Sequence, residues 1–217
     1  MKLISDYIRH ADKNISVDRF CYEVTEVIRK HYKKSEMEHL AAHPEERLCA
    51  SCIVFSRLRR EIWMIGDCQC LVGDEYYDNP KPGEAQIAEL RAAEAQRLLQ
   101  SGECTVDDLR RDDISRKAIL PRLVASMVKE NVDYAVIDGF PIPMRKVKVL
   151  TLDFSPWTVV LASDGYPFLC PTLDESEARL QRQIASDPLN IDTFKATKAC
   201  LEGNNSFDDR SYIRIEV

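Results

Sequence analysis

The chain has 217 residues, 45% of them hydrophobic, and carries 36 acidic against 30 basic side chains for a formal charge of −6. A chain of this length buries about 70% of its unfolded surface without disulfide staples, and an acidic surface repels a phosphate backbone, so nucleic acid is not an expected partner. No apolar run approaches the ~18 residues of a membrane span, MKLISDYIRHAD turns polar too early for an export signal, and the eight cysteines are expected to remain thiols, which together point to the cytoplasm.

Leu3, Ile4, Tyr7 and Ile8 recur at helical spacing, and Val17, Phe20, Val24, Val27 and Ile28 repeat the pattern over a longer span, so the chain is expected to begin with two helices. SEMEHLAAH gives a short third. Beyond Pro44 the period becomes extended. Residues 52–55 and 62–65 read as a hairpin closed by RLRRE, with Leu71 and Val72 continuing the second strand. GDEYYDNPKPG reads as a loop, and Pro82-Gly83 introduces a helix, EAQIAELRAAEAQRLLQ, that Ser101-Gly102 stops. A helix over residues 114–129, with Pro121 as its break, precedes strands at YAVI, VKVLTL and WTVVLA. Thr172 with Glu175 forms a capping box before EARLQRQIA; DTFKATKACLE reads as a helix closed by Gly203, and SYIRIEV alternates as a last strand. No repeat or linker divides the chain, so one domain over residues 1–217 is expected. Adjacent antiparallel-looking strands and paired helices favour an α+β fold.

Three acidic positions share one local context. Asp67 follows IWMIG, Asp164 follows TVVLAS and precedes Gly165, and Asp208 and Asp209 precede the last strand. Singly, such residues are turn formers, with Asp bonding its own backbone and Gly taking positive φ. Jointly, carboxylates at strand ends can converge on one rim, since neighbouring strands lie about 5 Å apart. Convergent carboxylates do not all stay ionised cheaply, and a hard divalent ion is the usual remedy.

The order of these positions resembles the metal-dependent type 2C protein phosphatases. CASCIVFSRLRREIWMIGDCQCLV is similar to their hairpin ending in a GDSR-like tetrapeptide, WTVVLASDGYPFLCPTLDESEA to their LxSDG strand end and following helix, and NNSFDDRSYIRIEV to their terminal D-[ND]-x-[ST] motif. The resemblance covers residues 49–217 and implies an antiparallel β-sandwich flanked by helix pairs, in four αββα layers. It implies Asp67, Asp164 and Asp208 as metal ligands, Asp209 at the Asn/Asp position beside them, and Ser211 as a structural hydroxyl. The activity implied is hydrolysis of phosphoserine and phosphothreonine by a water held between two Mg²⁺ or Mn²⁺ ions.

The departures limit that expectation. The family opens with strands that carry an early acidic residue, a phosphate-binding arginine and a DGxGG aspartate that bridges both metals. Residues 1–48 read instead as helices and contain no glycine. Asp138-Gly139 lies too late in the chain to replace that motif and reads as a turn, and the Ser-Arg expected after Asp67 is Cys68-Gln69. The expectation is therefore a phosphatase-like domain with an incomplete site for one ion or none. Such a chain is a phosphatase of reduced metal content, a pseudophosphatase that binds a phosphoprotein or other protein partner, or a protein that starts upstream of Met1. A structural zinc site on Cys49, Cys52, Cys68 and Cys70 is the rival reading, disfavoured because residues three apart in a strand point to opposite faces. His10, His31, His39 and His43 all fall in the helical N-terminal quarter, outside any catalytic motif.

Overall fold

The computed structural model describes residues 2–217. The first two helices, α1 (Lys2–His10) and α2 (Val17–Arg29), form as their apolar spacing requires. Ser16 caps α2 by accepting from the Arg19 amide, and the helix buries Phe20, Cys21, Val24, Thr25 and Ile28 along one stripe. After α3 (Met37–Ala42) the chain enters a hairpin of β1 (Cys52–Ser56) and β2 (Glu61–Ile65), paired antiparallel from Cys52↔Ile65 to Ser56↔Glu61.

The hairpin does not run on as expected. At Gly66 (φ +86°) the backbone turns, and residues 69–72 form β3 (Gln69–Val72) in a different sheet. Only glycine fits there, because a Cβ would lie 2.3 Å from Ser51 Oγ. The expected loop after it contains a strand, β4 (Glu75–Asp78), which pairs back on β3. The Gly, Asn and Pro of that stretch mark its two ends, while Tyr76 and Tyr77 between them favour extended backbone.

Helix α4 (Glu84–Ser101) ends at Gly102 in the left-handed conformation. A short α5 (Val106–Arg111), not expected from periodicity, starts at a capping box of Thr105 and Asp108. Helix α6 (Ile114–Met127) continues through Pro121 without ending there. The expected YAVI strand is absent: its residues are buried but make two isolated bridges, Ile137 antiparallel to Ala50 and Tyr134 parallel to Glu130. Strands β5 (Lys148–Thr151) and β6 (Thr158–Ala162), helix α7 (Leu173–Ser186) and strand β7 (Tyr212–Glu216) follow the expected order.

The expected helix DTFKATKACLE does not form. Its backbone is engaged by side chains from outside it: Arg91 donates to the Ala196 carbonyl, Arg116 to that of Thr197, and Asn190, just before the segment, to that of Lys198. The Ala199 amide donates to Asp113. Those bonds replace the i to i−4 ladder, so tertiary structure overrides local propensity.

The strands make two antiparallel sheets, ordered β1-β2-β5 and β4-β3-β6-β7. Ile62 and Met64 of β2 share one apolar cluster with Cys70 and Val72 of β3 and Val159 and Leu161 of β6. The alternate residues Trp63 and Ile65 pack on Phe20, Val24 and Ile28 of α2. Ala162 at the end of β6 packs with Leu180 of α7, and Ala92, Ala95 and Leu98 of α4 pack with Leu109 of α5. No helix among the described residues is long and apolar enough to cross a membrane.

Candidate functional site

Asp67, Asp164 and Asp208 line one cleft of about 260 Å³, together with Glu84 and Lys198. Each reaches it through a specific local device. The positive-φ turn at Gly66 aims Asp67 away from β2, and Asn79 fastens that turn by donating to the Gly66 carbonyl (3.0 Å) and, through its amide, to that of Cys68 (3.2 Å). Buried Gln69 donates to the carbonyls of Ser163 (2.7 Å) and Tyr166 (2.9 Å), which holds the segment carrying Asp164 against β3. The Ser211 amide donates to Ser163 Oγ (3.0 Å), and a Cβ at Gly165 would lie 2.4 Å from the Asp209 carbonyl oxygen. That close backbone approach brings Asp208 alongside Asp164.

Two of the three aspartates already have cations. Asp67 is buried; one of its oxygens accepts from Ser51 Oγ and the other pairs with the Lys81 ammonium. Asp208 pairs with Lys198 Nζ at 2.5 Å. Glu84, the first residue of α4, adds a fourth carboxylate that the sequence reading did not single out.

The electrostatics follow from this arrangement. Burial pushes the Asp67 carboxyl up, but the charge and hydrogen bond of Lys81 and the Ser51 hydroxyl outweigh it, so Asp67 titrates below the ordinary range. Asp164 is exposed to solvent, while the cleft lined by Asp67, Glu84 and Asp208 surrounds its carboxyl. Burial, with the charges of Asp67 and Asp208 added, raises it to about 7 against a partial offset from Lys81. Burial also raises Glu84, helped by the charges of Asp67 and Asp208. Burial disfavours the charged form of Lys81, but Asp67, Glu84 and Asp164 more than compensate, so it holds its proton more tightly than usual.

The donor set in this form does not fit a divalent ion. An ammonium group pairs with one oxygen of Asp67 and another with Asp208, which takes up two of the carboxylates a divalent ion would need. Among the described residues, the group of potential ligands whose donor atoms all close to within 4.8 Å of one another lies elsewhere, at His43, Glu45 and Glu46 on the surface. There the side chains are engaged by hydrogen bonds from His43 to Glu45 and from His39 to Glu46.

The four cysteines of the zinc reading do not gather either. Cys68 and Cys70 belong to the cluster shared by the two sheets, Cys52 packs toward the α2 side, and Cys49 lies in the exposed lead-in to β1. Burial raises the Cys52 and Cys70 thiols to about 11, away from thiolate chemistry. All eight cysteines are free. Asp138 lies outside the cleft, where its buried carboxylate accepts from Arg47 (2.9 Å), Asn131 (2.8 Å) and the Phe140 amide (2.8 Å), with Gly139 at φ +86°. It is the structural turn its context indicated. Asp209 is exposed beyond the cleft, and Ser211 contributes its backbone to the β6–β7 junction.

Comparison with protein-family models, with curated proteins and with solved structures finds no match to this chain.

Proposed function

We propose that residues 1–217 form one type 2C phosphatase-like domain, in which two stacked antiparallel sheets lie between helices in four layers and the helical first 48 residues take the place of the family's opening strands. We propose further that it acts as a pseudophosphatase, a module that binds a protein or phosphoprotein partner in the cytoplasm. The layered arrangement is supported by the apolar cluster common to both sheets and by α2 and α7 on their far sides.

The observation that carries the functional reading is the lysine pairing of Asp67 and Asp208. In-line attack on a phosphate monoester by a metal-bridged water needs carboxylates free to hold two cations and a site that lowers the water's pKa. Here two of the expected ligands are satisfied by the protein itself, and the DGxGG aspartate that would bridge the metals has no counterpart in residues 1–48.

The test is hydrolysis of p-nitrophenyl phosphate in Mn²⁺ or Mg²⁺ buffer, with metal binding measured by calorimetry on the same sample. The expected result is no turnover above the blank and no stoichiometric binding. Mn²⁺-dependent turnover that disappears in Asp164→Asn would establish a phosphatase and overturn the pseudophosphatase reading.

A further inference from the structure

A second cavity lies apart from the acidic cleft. It occupies about 440 Å³ between the α1–α2 connection and the β1–β2 hairpin, and it shares no lining residue with the cleft of Asp67, Asp164 and Asp208. Ile8, Ala11, Ile15, Phe20, Val54 and Trp63 give it apolar walls, and its volume is that of a small-molecule site. Phe20 and Trp63 are buried, with ring centroids 5.5 Å apart, and the Trp63 Nε1 donates to Glu61 (2.9 Å), so the indole is already satisfied.

Two consecutive polar residues at the hairpin end of this cavity lack partners. Side chains alternate along a strand, so Ser56 points with Cys52 and Val54 to the face of the sheet that α1 and α2 cover, which is the cavity side. Ser56 is 7% exposed, and its buried Oγ has no hydrogen-bond partner. A buried hydroxyl left unpaired is costly, and this one faces a space that a ligand oxygen could fill. Arg57, the next residue, lines the same cavity and is exposed. Arg59 is taken by Glu61 (3.0 Å) and Arg60 by the Asp153 and Ser155 carbonyls, whereas Arg57 has no such partner among the described residues. The other charges at the mouth are committed to the end of α1: Asp12 accepts from the Asn14 amide (2.9 Å), and Lys13 donates to the Ile8 carbonyl (3.1 Å).

We propose that this cavity binds a small apolar monocarboxylate, whose body lies against Ile15, Phe20 and Trp63 while its carboxylate accepts from the Ser56 hydroxyl and pairs with the Arg57 guanidinium. A carboxylate offers acceptors only, which matches a lone O–H donor beside an unpaired cation. An amine would meet Arg57 with like charge, and a wholly apolar ligand would leave the hydroxyl unmet. The site is separate from the acidic cleft, and its occupancy is independent of whether that cleft holds metal or turns over phosphate.

The experiment measures binding of phenylbutyrate and of its neutral analogue phenylbutanol, by calorimetry on the native chain and by the emission of Trp63 in a Trp157→Phe background. The native chain is expected to bind phenylbutyrate saturably and about threefold more tightly than phenylbutanol, the preference an exposed cation gives. Arg57→Ala is expected to erase that preference and Arg57→Lys to keep it. Ser56→Ala is expected to weaken phenylbutyrate binding by about threefold or more without lowering the melting temperature, because the hydroxyl it removes has no partner in the free protein. Ala11→Leu, which fills the cavity, is expected to abolish binding of both compounds. No saturable binding by the native chain, equal affinity for acid and alcohol, binding that survives in folded Ala11→Leu, or a lower melting temperature in Ser56→Ala would each overturn the inference. So would a native dimer that Ala11→Leu dissociates, since the cavity would then belong to a second copy of the chain. Each of these results leaves the pseudophosphatase reading standing, because none of them involves metal or phosphate.

Discussion

At the scale of single residues, Asp164 has the most consequential charge state. Its carboxyl is pushed up to about 7 by burial and by the charges of Asp67 and Asp208. A group whose folded pKa exceeds its unfolded value near 3.8 binds its proton more tightly in the native chain. The stability it contributes is then present in full below that lower value and is lost as pH rises through about 7. Denaturant midpoints measured from pH 5 to 8 should therefore fall across this window, and Asp164→Asn should flatten the fall by removing the titrating group. A native-minus-variant difference independent of pH would show that Asp164 titrates normally. The strand-end aspartates were legible because each adjoins an apolar strand run in sequence, Asp67 and Asp164 just after one and Asp208 just before one. Lys81, Lys198 and Glu84 were not, because a lysine's counter-charge is chosen by which loops meet in space, and nothing local distinguishes Lys81 from a solvated lysine except its two flanking prolines.

At the scale of elements, the segment after α7 shows how a helical pattern can be overruled. Arg91 of α4 is fully buried and pairs through Nε and a terminal nitrogen with Asp113 (3.0 and 2.8 Å), which caps α6 and also accepts from the Ala199 amide (3.0 Å). One carboxylate thereby ties two helices to the irregular stretch that DTFKATKACLE forms instead of a helix. Breaking a buried pair by removing one partner strands the other charge, at a cost of about 3–5 kcal/mol. Asp113→Ala should lower the free energy of unfolding by that amount in urea, whereas Asp112→Ala, whose partner Lys117 is exposed, should change it by less than about 1 kcal/mol. Equal losses would mean that the buried pair is not the anchor of this region. The same comparison explains why β4 was hidden: Gly73, Asp74, Asn79 and Pro80 are turn residues, and the four-residue strand between them is shorter than the windows in which alternation can be recognised.

At the scale of the whole molecule, the separation of the chain into two sheets was the feature least visible in sequence. Residues 52–72 read as one continuous hairpin, because apolar residues fall on both sides of Gly66 and a change of sheet leaves no compositional mark. The mixed α+β character and the antiparallel pairing were legible from strand grouping. The shared cluster of Ile62, Met64, Cys70, Val72, Val159 and Leu161 should make the two sheets unfold together. Far-ultraviolet circular dichroism and the emission of Trp63 and Trp157 should accordingly report the same urea midpoint; separated midpoints would divide the chain into two independently stable parts.

The turn at Gly66 also sets an order of events during synthesis. The local hairpins β1–β2 and β3–β4 can close as soon as they leave the ribosome, but each then presents an unpaired edge. Ile62 must wait for Leu150, and Cys70 for Leu161, while α4, α5 and α6 are made in between. For that interval two apolar strand edges, joined by one glycine turn, remain open to other chains, and the nascent protein is at its most vulnerable to aggregation before β5 and β6 arrive to close them.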